Sequence, residues 1–189
     1  MSVVSIIEAE RNRYVAHFES VVADPAPRSN GVVRELLTAV NNEAWSYPYR
    51  YFRADLACKT DNGSPELFEI WLDPASGSEG RGFQLGPLQI EIYPFTWCSV
   101  QIVFNRPLRN LAKLEALFSR LLDVEDESTD PLRAANAIHS VTPIEENGEF
   151  WFFTVDFGTA PADAFLDLID FLANDAMTDR IVIQSYAPR

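Results

Sequence analysis

The chain has 189 residues, 47% of them hydrophobic and 12% aromatic, with 15 Lys+Arg against 28 Asp+Glu and a net charge of −13. That length fits one compact domain or two small ones, and that apolar content excludes wholesale disorder. The acidic balance argues against a nucleic-acid-binding surface and against docking on anionic lipid.

Residues 3–22 carry Val3, Ile7, Tyr14, Val15, Phe18 and Val22 at helical spacing and predict an amphipathic helix, ended by Asp24-Pro25-Ala26-Pro27. Val33, Leu36, Leu37 and Val40 give a second such stripe. A helix is therefore predicted over 31–44, with Ser29 or Asn30 as its cap. The period then falls to two. Over 50–59, Phe52, Ala54, Leu56 and Cys58 alternate with Arg53, Asp55 and Lys59, which predicts a half-buried strand with the charges outward. A turn at 60–65 leads to a partner strand with Phe68, Ile70 and Leu72 on one face, followed by a Gly/Ser-rich loop from Asp73 to Gly82.

Strands are predicted at 87–93 and 98–105, joined by a Pro94-Phe95-Thr96-Trp97 corner. Pro107 suits a first helical turn, and the leucines from Leu108 to Leu122 continue that helix to about 123. Ile138–Ile144 and Phe150–Phe157 read as a hairpin around Asn147-Gly148. A helix opens at Pro161, and a last strand spans Arg180–Tyr186. The expected class is α+β, a mostly antiparallel sheet with helices packed on it. Its C-terminal half is ferredoxin-like (βαββαβ), and the N-terminal helical pair and strands extend it. A single domain over 1–189 is expected, with a pseudo-repeat of strand–strand–helix at 87–123 and 138–174.

Chemistry-bearing motifs are sparse. The N-terminus lacks the basic region of a signal peptide, and no apolar run approaches the roughly 20 residues of a membrane span. A cytoplasmic protein is expected. Cys58 and Cys98 read as buried free thiols inside strands, since two cysteines make no disulfide framework or zinc cluster. Of the two histidines, His17 reads as a helix-surface residue and His139 as a structural strand residue. The Ser76–Gly82 loop is neither a nucleophile elbow nor a phosphate loop, although it holds Arg81 among glycines. The acidic run from Asp123 lacks the glycine and glutamate of an EF-hand. No catalytic, cofactor-binding or metal-ligating set is predicted.

The charge is uneven. Residues 1–60 are neutral, whereas 123–179 hold fourteen acids against the single base Arg133. Glu145, Glu146 and Glu149 crowd a hairpin tip, and Asp163, Asp167 and Asp170 line one helix face at spacings of four and three. The strand 150–157 is aromatic on both faces, which implies either a twice-covered central strand or an exposed patch beside the acids. These six acids, with Trp151 as an anchor, form the expected contact surface for a basic protein partner. A small acidic chain of this kind fits a non-enzymatic inhibitor such as an immunity protein or antitoxin. Two alternatives remain. One is a small-molecule site lined by Trp45, Tyr47, Tyr49, Tyr51, Trp71 and Trp97. The other is an enzyme using His139 or a carboxylate as its base.

Overall fold

The computed structural model describes residues 2–23, 32–40, 45–59, 65–76, 79–124, 136–175 and 178–185. Helix α1 (Val3–Ala23) buries Ile7, Tyr14 and Phe18, the stripe its sequence spells out. Strands β1 (Val32–Ala39), β2 (Tyr51–Lys59) and β3 (Pro65–Phe68) form a small antiparallel sheet in that order. A larger, seven-stranded sheet follows. It contains β4 (Arg81–Leu85), β5 (Leu88–Ile92), β6 (Val100–Phe104), β7 (Ser140–Val141), β8 (Glu145–Asn147), β9 (Phe150–Asp156) and β10 (Arg180–Gln184). Helices α2 (Leu111–Leu121) and α3 (Ala162–Asn174) complete the chain.

The class is α+β with mostly antiparallel sheets, as the sequence predicts. The larger sheet runs β4-β5-β10-β6-β9-β7, with β8 also on β9, and its β5–β10 pair is parallel. It is thus mixed and seven-stranded, and strands β1–β3 form a sheet of their own instead of extending it as expected. Strands β5 and β6 are not neighbours, because β10 lies between them. Ile181 and Ile183 of β10 are buried on one face of this central strand.

Three local expectations are corrected. The segment predicted as a helix over 31–44 is strand β1 where it is described; 41–44 and the cap candidates Ser29 and Asn30 lie outside the described residues. Its apolar spacing satisfies either period over so short a run, and pairing with β2, from Val32 opposite Cys58 to Ala39 opposite Tyr51, decides the outcome. Helix α2 starts at Leu111, after Asn110, rather than at Pro107. The Arg109 backbone N–H donates to Asp175 Oδ2 (2.9 Å), which ties the preceding run to the end of α3. The partner strand near 68–72 stops at Phe68, and only Ile70 of its later residues is buried.

One face of the large sheet carries the core. Leu88, Ile90, Ile92, Val100, Ile102, Phe104, Phe153, Val155, Ile181 and Ile183 are all buried there. Phe118 of α2 meets Phe153 edge-on at 5.4 Å, and Phe165 of α3 stacks on Phe157 at 4.7 Å. Each such side chain contributes about 1.5–3 kcal/mol by leaving water. Cys98, just before β6, is buried with its thiol pushed up to about 11 by burial, while Cys58 in β2 is only half-buried. Both are free. No helix among the described residues is long and apolar enough to cross a membrane.

Candidate functional site

Strand β2 does not turn its charges outward. Arg53 is 1% exposed and Asp55 0%. The alternation assigned one face to solvent, but α1 and the end of the large sheet cover it. Register places Asp55 opposite Glu35 of β1, between the pairs Arg34–Leu56 and Leu36–Ala54. Glu35 is itself buried and adopts a left-handed backbone, φ +50°. Like charges directly opposite each other are destabilising.

His139 resolves that conflict from the far end of the chain. Its ring lies between the two carboxylates, with Nε2 2.9 Å from Glu35 Oε1 and Nδ1 2.7 Å from Asp55 Oδ1. The Nε2 contact is a well-directed hydrogen bond. Asp55 stands off the Nδ1–H axis, so that contact acts as an ion pair without a linear bond. Further donors complete the carboxylates. Tyr14 hydroxyl gives a hydrogen bond to Asp55 Oδ1 (3.3 Å), the Ile70 backbone N–H donates to Asp55 Oδ2, and the Thr159 hydroxyl donates to Glu35 Oε1. The main chain also holds the ring: Arg53 N–H donates to His139 C=O (2.7 Å), and His139 N–H donates to Asp156 C=O (2.7 Å). Gly158, at φ +48°, lies against the ring face, and a Cβ there would overlap the imidazole.

The electrostatics follow from this geometry. Burial alone lowers the proton affinity of His139, but bonding to Asp55 and Glu35 outweighs it and raises the pKa to about 10. Burial pushes Glu35 up, while bonds from His139 and Thr159 more than reverse this and hold it below the ordinary carboxyl value. Asp156 rises to about 7, chiefly through burial, against the opposing pull of His139. Burial keeps Tyr14 a neutral phenol, able to donate. The Arg53 guanidinium donates to the Glu35 main-chain carbonyl (3.4 Å) and lies 3.8 Å from Asp123. The side chains of His139 and Asp55 are each 1% exposed and that of Glu35 7%, so the ring has no open side. The arrangement ties β1 and β2 to the large sheet.

The expected contact residues occupy two places rather than one. Glu145 and Glu146 on edge strand β8 and Glu149 in its turn are exposed, and none has a cationic partner among the described residues. Asp163, Asp167 and Asp170 are also exposed, but on α3 in the helix layer, where Asp167 pairs with Arg120 of α2 at 3.0 Å. Trp151 is half-buried and packs against the core on the helix side of β9. Phe150, 48% exposed, is the aromatic presented beside the hairpin acids.

The six aromatics weighed for a small-molecule pocket are dispersed. Trp97 is in the core, 4.7 Å from Phe157, Tyr49 lies edge-on to Phe118, and Tyr47 lies edge-on to Tyr51. Trp45 is half-buried, and exposed Trp71 donates its indole N–H to Asp73. Arg81 lines a cavity of about 360 Å³ between α1 and β5, with Ile6, Arg13, Glu79 and Phe95. Arg13 is already held there by Glu10 and the Asp73 carbonyl. Among the described residues no cluster of three potential metal ligands forms.

Comparison with protein-family models, with curated proteins and with solved structures gave no significant match. The sequence reading missed Glu35, Asp55, Tyr14 and Gly158 as partners of His139. Its only available signal was the pair of charges inside β2, which simple alternation assigned to solvent.

Proposed function

We propose that the chain is a non-enzymatic binding protein of the immunity or antitoxin type, acting in the cytoplasm, that engages a basic protein partner through its acidic hairpin. One observation carries this reading: Glu145, Glu146 and Glu149 crowd one exposed edge strand and its turn, with no cationic partner among the described residues. Unpaired carboxylates so grouped steer a cationic partner and fix its orientation. The α3 acids, which lie in the helix layer and are partly neutralised by Arg120, add to the long-range field rather than to the contact. The βαββαβ order of β6–α2–β7/β8–β9–α3–β10 supports a ferredoxin-like unit as the scaffold, extended by β4 and β5. Burial of His139 speaks against a histidine-based reaction at this cluster of titratable groups.

The test is co-purification from native lysate with the wild-type chain and with a triple reversal, Glu145→Lys, Glu146→Lys and Glu149→Lys. The expected result is a basic protein retained by the wild type and lost from the variant. Equal retention by both would overturn the reading.

A further inference from the structure

The second face of the large sheet is not covered as the first is. Residues alternating with the core positions are half-buried or exposed along β5, β10, β6 and β9. Register aligns them into cross-strand rows. Glu145 lies opposite Phe152, Phe152 opposite Val103, Val103 opposite Val182, and Val182 opposite Glu91. This row is apolar at its centre and acidic at both ends. A second row runs beside it, with Phe150 and Arg180 on the same face, and the two rows floor a shallow cavity of about 290 Å³. Arg180 is neutralised by Glu91 at 3.0 Å, which leaves Glu145, with Glu149 in the adjoining turn, as the unpaired acids at this end of the row among the described residues.

From this geometry we infer that the open sheet face is a docking platform for a basic amphipathic helix of a protein partner, laid along the row from Glu91 to Glu145. Three arguments fix that occupant. A sheet face with an apolar stripe is covered in folded proteins by a helix or another sheet, and this sheet's other face already takes helices. The row spans four strand spacings, roughly 19 Å, the length of about thirteen helical residues. The free charge at its hairpin end is negative, which selects lysine or arginine beside the apolar stripe of the incoming helix. The inference rests on the acidic-hairpin reading and extends it from an edge to a face.

The probe is a synthetic helical peptide with a leucine stripe flanked by lysines. Its control keeps every lysine and carries serine for each leucine. Each is titrated into the full-length chain, with affinity read by calorimetry and location by backbone amide shifts. The leucine peptide is expected to bind at least about tenfold more tightly than the control. It should shift the amides of Val103, Phe152 and Val182, and weaken about tenfold with Val182→Lys or Val103→Lys, whose half-exposed positions admit lysine without unfolding. Equal binding of the serine control, shifts confined to the helix layer, or indifference to both valine substitutions overturns the inference. If Glu145→Lys with Glu149→Lys abolishes binding while the valine variants do not, the face proposal fails and the hairpin reading stands. If neither set matters, both fail. A dimer of the chain that Val182→Lys dissociates would place a second copy on this face and also overturn the proposal.

Discussion

His139 is held by two carboxylates and closed off from solvent, so its replacement exposes an unbalanced charge pair rather than a simple void. His139→Leu leaves Glu35 and Asp55 facing each other in the interior and is expected to cost about 3–5 kcal/mol in urea unfolding. The same network sets a pH dependence. His139 has a folded pKa of about 10, above its ordinary 6.5, so its contribution is fully present below pH 6.5 and is lost as pH rises toward 10. Asp156, raised from 3.8 to about 7, likewise favours the folded state less as pH climbs between those values. Stability should therefore fall between pH 7 and 10, by at most about 1.4 kcal/mol per pH unit per proton. In His139→Gln that alkaline decline should flatten. An equally steep decline in the variant would remove His139 as its source.

Elements differ in how firmly they are held, and β1 lies at the edge of the smaller sheet. Among the described residues it pairs only with β2, and Val32 and Val33 are each 38% exposed, whereas β6 lies between β10 and β9 with its inward side chains buried. Its amides should exchange with deuterium well before those of β6 and β9. Matching protection in all three would show that β1 belongs to the same cooperative unit. The helices α1 and α3, strands β2, β5, β6, β9 and β10, and the Asn147-Gly148 turn were legible because each is long enough for its period or turn chemistry to speak locally. Strand β1 was not, since apolar positions at 33, 36, 37 and 40, three of them within its eight residues, serve helix and strand alike. The insertion of β10 between β5 and β6 has no local signature at all. Nor has the cluster: Glu35 and His139 are 104 positions apart, and nothing at either site announces the other.

At the scale of the whole molecule, the exposed acids Glu145, Glu146 and Glu149 on the hairpin edge and Asp163, Asp167 and Asp170 in the helix layer form separate fields within a net charge of −13. Self-repulsion among these exposed acids opposes the compact state and is screened by salt. Raising sodium chloride from low to physiological strength should lift the thermal midpoint by about 2–4 °C, as a scanning-calorimetry series would record. A midpoint that drops with salt would mean that surface pairs such as Arg120–Asp167 outweigh the repulsion.

The pairing of Glu35 with Asp55 also constrains the order in which the chain can be assembled. During synthesis, β1 and β2 leave the ribosome long before residue 139. Until then the first sheet would have to seat two opposed carboxylates with no cation between them. The small sheet therefore waits on a histidine made a hundred residues later. An excised N-terminal third is expected to fold poorly on its own, because the residue that separates its carboxylates comes from a later part of the chain.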